Sequence, residues 1–222
     1  MTEMPVRLGL SDIAPQRVLP VLVLDDASVA PRVREALAAG GLSCAEVTLR
    51  TPAAVRAMAG MAEDPDFLVG AGTVLTRAQV RDADEAGARF VVSPGFSRAV
   101  AAECADRGLA YVPGVATPTD ITAALDEGFS ELKFFPAETL GGVRALTALC
   151  GPFGDVRFLP TGGLTEANFA EYLAIPAVTA VGGSWIATPA LVGQLDFEEI
   201  ARRATHAVHA SQPSGAGNAG RR

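Results

Sequence analysis

Lysine is almost missing from this chain: against seventeen arginines there is one, Lys133. Positive charge as a whole is outweighed, and the formal charge of −7 argues against nucleic acid or an anionic membrane as the main partner, so an anionic ligand needs a local site. Cysteine is scarce as well. Cys44, Cys104 and Cys150 are odd in number and lack CxxC spacing, which leaves buried thiols of a reducing cytoplasm rather than a disulfide framework or a zinc site. The two histidines, His206 and His209, stand at i, i+3 without a third ligand, so no metal is expected. A membrane span is missing too. Residues 173–195 carry no charge, but Pro176, Gly182, Gly183, Ser184 and Pro189 interrupt them where a spanning helix needs about twenty predominantly apolar residues. That stretch reads as a buried strand plus a glycine turn. Residues 1–12 have no apolar core of the kind a secretory signal carries, and a cytoplasmic location is expected.

What is present is a repeat. With 49% hydrophobic and 19% charged residues, the 222-residue chain reads as one globular domain with a full core. Apolar runs at 18–24, 44–50, 68–74, 90–95, 110–115, 132–136, 157–163 and 177–183 are each followed by a helical pattern of roughly ten residues. Such alternation implies a parallel sheet with right-handed crossovers. Eight units in this length fit a closed barrel better than an open sheet, and no GxGxxG follows the first strand. The expected fold class is α/β, a single-domain (β/α)8 TIM barrel over 18–210. A segment at 1–17 with a short helix would cap it, and a Gly/Ser/Ala-rich tail at 211–222 is expected to be disordered. Gly40, Gly87, Gly108 and Gly128 are expected as left-handed helix caps. Thr51-Pro52, Thr117-Pro118 and Thr188-Pro189 are expected as helix starts, as is a capping box from Thr76 to Gln79.

Lys133 sits in the apolar run Leu132-Lys133-Phe134-Phe135-Pro136. A buried primary amine is relieved by losing its proton, and the neutral amine is a nucleophile toward ketones. The alternative is a lysine that merely pairs with an acid. Strand alternation bears on this. Ala45, Val47 and Leu49 share one face of the second run, while Glu46, Thr48 and Arg50 share the other and rise toward the carboxyl end, where active sites of such barrels lie. Lys133 and Phe135 share a face of the sixth run. Thr73, Pro94 and Thr161 end the third, fourth and seventh at equivalent heights. A buried Glu46–Lys133 pair is often no gain over apolar packing, so stability alone explains it poorly. Two glycine pairs follow, Gly162-Gly163 after strand seven and Gly182-Gly183, with Ser184 behind it, after strand eight. Glycines there let backbone N–H groups approach an anion, and this end of a barrel recurrently binds phosphate.

Six segments then stand together: Glu46-Val47-Thr48-Leu49-Arg50-Thr51, Gly70-Ala71-Gly72-Thr73-Val74, Ser93-Pro94-Gly95, Lys133-Phe134-Phe135-Pro136-Ala137-Glu138, Pro160-Thr161-Gly162-Gly163 and Gly182-Gly183-Ser184-Trp185. In these the chain resembles the 2-keto-3-deoxy-6-phosphogluconate (KDPG) and 4-hydroxy-2-oxoglutarate (KHG) aldolases, class I enzymes, over about 18–185. Thr139-Leu140 and Ala116, beside the motifs, differ. The resemblance implies metal-independent cleavage of 2-keto-3-deoxy-6-phosphogluconate to pyruvate and glyceraldehyde 3-phosphate, the Entner–Doudoroff reaction, and of 4-hydroxy-2-oxoglutarate to pyruvate and glyoxylate. It implies that Lys133 forms the imine and Glu46 is general acid/base. Arg50 and Thr73 would hold the carboxylate, and Phe135, Thr161 and Pro94 would shape the pocket. Gly162, Gly163, Gly183 and Ser184 would bind phosphate. It also implies a homotrimer. Two other readings stand: the epimeric 2-keto-3-deoxy-6-phosphogalactonate as substrate, and a non-catalytic phosphometabolite-binding barrel with Lys133 as counter-ion.

Overall fold

A computed structural model describes residues 8–212. The strands fall where the apolar runs stand. They are β1 (Val18–Leu22), β2 (Cys44–Thr48), β3 (Leu68–Gly72), β4 (Phe90–Val92), β5 (Ala110–Val112), β6 (Gly114–Val115), β7 (Glu131–Phe134), β8 (Arg157–Pro160) and β9 (Val181–Gly183). The fifth run is split into β5 and β6 at Pro113, which has no N–H for a ladder bond. All pairings are parallel, in a six-stranded sheet of order β5-β4-β3-β2-β1-β9 and a three-stranded sheet β6-β7-β8. Single bridges Phe158↔Val178 and Thr161↔Gly182 join β8 to the run that holds β9. The fold is α/β with parallel strands.

The helices are α1 (Leu10–Ile13), α2 (Ala30–Ala39), α3 (Ala54–Ala62), α4 (Arg77–Glu85), α5 (Arg98–Arg107), α6 (Pro118–Asp126), α7 (Gly142–Cys150), α8 (Phe169–Leu173), α9 (Pro189–Gly193) and α10 (Phe197–Ser211). Thr76, Thr117 and Thr188 cap α4, α6 and α9 as expected, the first two in capping boxes with Gln79 and Asp120. Thr51 does not cap α3, whose N-cap is Ala53; its hydroxyl donates instead to the Leu24 carbonyl and ties the β2 end to the β1 end. Gly87, Gly108 and Gly128 take left-handed conformations, but Gly40 does not. There the next residue, Gly41, turns left-handed. Gly40 is small for a packing reason, since a Cβ on it would lie 2.3 Å from the Ala204 Cβ of α10. α8 and α9 have five residues each, about half the expected length. Cys44 and Cys104 are buried, whereas Cys150 is only partly so.

Strand faces sort the core. Leu132 and Phe134 face helices in the main apolar cluster with Val47, Ala71 and Ile121. A second cluster joins Leu10 and Ile13 of α1 to Leu19, Phe90, Val92, Val112 and Leu159 from the opposite strand faces. The first strand is stitched to later chain. Arg17 donates from Nε to the Thr179 carbonyl (3.2 Å) and from Nη2 to those of Leu173 and Val178 (3.1 Å each). Ser211, expected in the tail, is instead the buried last residue of α10 and donates to the Gln16 carbonyl at 2.7 Å. Gln212 is the C-cap of α10, and the rest of the expected tail, 213–222, lies outside the described residues, as do residues 1–7 of the N-terminal segment.

Candidate active site

The carboxyl ends of the strands surround a cavity of about 500 Å³, a size suited to a small ligand. At its base Lys133 Nζ donates to Glu46 Oε1 at 3.2 Å. Both residues are deeply buried, at 5% and 0% exposure, so solvent hardly screens the pair. The alternation expected for β2 and β7 delivers them: Lys133 pairs in register with Gly114, and Glu46 lies between Val21 and Gly70. Small neighbours make the room. A Cβ on Gly72 would fall 2.1 Å from Glu46 Oε1, so the carboxylate occupies the space a side chain there would fill. Glu46 Oε2 is buried and has no hydrogen-bond partner among the described residues. A buried carboxylate oxygen with an open lone pair can accept a hydrogen bond.

The other expected residues converge on the same cavity. Arg50, Thr73, Pro94, Phe135, Thr161, Gly162, Gly163, Gly183 and Ser184 all line it. The centroid of the Phe135 ring lies 5.2 Å from Lys133 Nζ, so the ring covers the amine from one side. Thr73 adopts φ 58°, a left-handed conformation that costs a β-branched residue about 1–3 kcal/mol. Strain of that size at a cavity wall marks a position held for something other than stability. Gly162 and Gly163, at φ 98° and 83°, form a turn that few other residues could make. Gly183 is fixed by packing, because a Cβ there would lie 1.6 Å from the Trp185 ring. That ring stacks on Phe169 with centroids 5.2 Å apart and belongs to the core. Thr48, expected to face inward, is in the lining with its hydroxyl donated to the Leu22 carbonyl at 2.9 Å.

Sequence reasoning missed Val21, Val23, Leu164 and Pro189, which supply the apolar wall. The signal for the two valines was available: they alternate with Leu22 and Leu24, which face the helices. Among the described residues no group of three or more His, Cys, Asp or Glu side chains could hold a metal ion. His206 lies away from the cavity and faces Glu166 at 3.0 Å. No helix among the described residues is long and apolar enough to cross a membrane.

The family model described as "KDPG and KHG aldolase" matches residues 11–203. The chain belongs to the KDPG and KHG aldolase family. A relative from Treponema pallidum named 2-dehydro-3-deoxy-phosphogluconate aldolase is 46% identical over 185 residues, covering 83% of this chain and 88% of its own. The 2-keto-3-deoxy-6-phosphogluconate aldolase of Zymomonas mobilis, solved with 3-phosphoglycerate, superposes with a TM-score of 0.85 at 42% identity, covering 91% of this chain and 94% of that one. The KDPG aldolase of Legionella pneumophila, solved with pyruvate captured as a covalent carbinolamine intermediate, gives 0.83 at 40% identity, covering 85% and 92%. In this member of the aldolase family, then, a buried lysine–glutamate pair and a glycine turn line one cavity at the strand ends.

Proposed function

We propose that this chain is a class I aldolase that cleaves 2-keto-3-deoxy-6-phosphogluconate to pyruvate and glyceraldehyde 3-phosphate, and 4-hydroxy-2-oxoglutarate to pyruvate and glyoxylate. The observation that carries the reading is the Lys133–Glu46 pair, 3.2 Å apart and buried at the base of a cavity that also holds a guanidinium and two adjacent left-handed glycines. Lys133 Nζ attacks the C2 ketone, and loss of water gives a protonated imine. Glu46 accepts the proton of the C4 hydroxyl, the C3–C4 bond breaks, and its electron pair passes into the iminium to form an enamine as the aldehyde leaves. Glu46 then returns the proton to C3, and water hydrolyses the imine to release pyruvate and the free amine. The iminium is the electron sink, so no cofactor or metal is assigned a role.

Arg50 and Thr73 would hold the substrate carboxylate, with Phe135, Pro94 and Thr161 shaping the pocket and Thr161 bearing on stereochemistry at the cleaved bond. Gly162, Gly163, Gly183 and Ser184 would receive the phosphate. The parallel pairings and the two β8 bridges support a closed (β/α)8 barrel over 18–210 in which β5 and β6 form one stave. A homotrimer in the cytoplasm completes the reading.

The test is mass spectrometry after incubation with pyruvate and borohydride. With one lysine in the chain, only Lys133 and the α-amine can carry a reduced adduct. One adduct on the Lys133 peptide, lost together with turnover in Lys133→Arg, is expected. Pyruvate binding without an adduct would replace the aldolase by a binding barrel with Lys133 as counter-ion. Side-by-side kcat/KM values on the gluconate and galactonate epimers fix the substrate series.

A further inference from the structure

Glu138 and Tyr172 do not line the cavity, yet they hold its glycine turn from behind. Beyond the end of β7 the chain keeps pairing with the segment beyond β8: Ala137 N donates to the Thr161 carbonyl (2.9 Å) and Glu138 N to that of Gly162 (3.0 Å). The Glu138 side chain then lies against Gly163, where a Cβ would stand 2.6 Å from the Glu138 Cβ and 2.8 Å from its Cγ. At the far end of that side chain, the Tyr172 hydroxyl of α8 donates to Glu138 Oε1. Gly142, the first residue of α7, closes the third side, since a Cβ on it would lie 3.2 Å from Glu138 Oε1 and 3.4 Å from the Tyr172 oxygen. The Tyr172 ring is fully buried, and burial, followed by the neighbouring carboxylate, pushes its phenol pKa up, so it stays a donor.

The charge of Glu138 is the informative part. A carboxylate beside an anion site opposes the anion, so its contribution there must be geometric. We propose that the Tyr172–Glu138 hydrogen bond is a positioning device that fixes the Gly162–Gly163 turn, setting affinity for the substrate's phosphate while leaving the imine chemistry at Lys133 alone. This rests on the reading of that turn as the phosphate site. Neither residue touches substrate; both are positioning residues.

The test compares wild type with Tyr172→Phe, Glu138→Ala and Glu138→Gln. Each is assayed on 2-keto-3-deoxy-6-phosphogluconate and on unphosphorylated 4-hydroxy-2-oxoglutarate, with inorganic phosphate as competitor. Tyr172→Phe keeps the buried ring, so the fold has no reason to fail. Tyr172→Phe and Glu138→Ala are expected to raise KM for the phosphorylated acid about tenfold, the scale of one hydrogen bond, with kcat within about twofold. Glu138→Gln keeps an acceptor and loses the charge, so its KM should stay at or below the wild-type value. KM for the unphosphorylated acid should not move. Equal losses on both acids would show a merely structural bond and overturn the proposal. So would unchanged KM in Tyr172→Phe and Glu138→Ala, or a Glu138→Gln that behaves like Glu138→Ala. A wild type that phosphate does not inhibit, and that treats both acids alike, would refute the phosphate reading itself and the proposal with it.

Discussion

Gly72→Ala separates the position of Glu46 from its presence. Gly72 ends β3 in register with Thr48, and a methyl there would stand 2.1 Å from Glu46 Oε1, 2.5 Å from its Cγ and 2.6 Å from its Cδ. Non-bonded carbon contacts settle at about 3.5 Å or more, so the carboxylate must retreat by roughly an ångström. Cγ and Cδ are in the way as well, so the whole side chain must swing toward the cavity, and the fold should lose about 1–2 kcal/mol, the lower part of the range for overpacking. The chemistry should lose more. A displacement of about 1 Å in a reacting group costs on the order of 10²-fold in rate. The assay is pyruvate release coupled to lactate dehydrogenase, alongside borohydride trapping and thermal melting. The expected result is kcat/KM down about 10²-fold, with the Lys133 adduct still formed and the melting temperature within a few degrees of wild type. A well-folded variant with kcat/KM within about threefold of wild type would refute the argument that proton transfer depends on where Glu46 is held.

Glu46→Gln should slow turnover by about 10²–10⁴-fold while the pyruvate adduct on Lys133 still forms; unchanged turnover would remove Glu46 from the mechanism. Asp120→Ala removes the acceptor for the Ala116 and Thr117 N–H groups at the start of α6 and should cost about 1–2 kcal/mol by urea denaturation. No measurable change would mean water replaces the cap at no cost. Glu199 is held by hydrogen bonds from Arg202 and Arg203, which lower its pKa from 4.5 to about 2. A depressed carboxylate contributes stability that is present above pH 4.5 and lost as pH falls toward 2. Glu199→Gln should therefore flatten the acid-side fall of melting temperature between those values, and an unaltered slope would assign that fall to other carboxylates.

Period-two alternation was enough to put Glu46, Thr48 and Arg50 on the cavity side of β2, and Lys133 with Phe135 on that of β7. One face of each strand packs on helices and tolerates no charge, so the charged positions fix the register. Val21 and Val23 carry only the weaker signal of alternation with Leu22 and Leu24, because an all-apolar run offers no polar residue to mark the cavity face. Three helix starts were legible because a threonine hydroxyl makes the cap, at Thr76, Thr117 and Thr188, whereas the side-chain caps at Ser97 and Asp196 were not read. Thr51 escaped because its hydroxyl serves a neighbouring strand end, which only the tertiary arrangement brings near. Gly40 and Gly41 show the same limit, one small for packing against α10 and the other for its backbone, with nothing local to tell them apart. Glu138 and Tyr172 were beyond reach, since their meeting depends on where two loops and α8 come to lie.

The stitching of β1 to distant chain has a consequence for synthesis. β1 leaves a ribosome well before one of its two neighbours, since β9 begins at Val181 and the Arg17 clasp ends at Thr179. At about 5–20 residues per second that partner arrives on the order of ten seconds later. Through that interval one edge of an apolar strand stays open to any passing chain. The nascent molecule is open to mispairing while Lys133 has already been made and β9 has not, and shielding of β1 in that interval favours correct closure of the sheet.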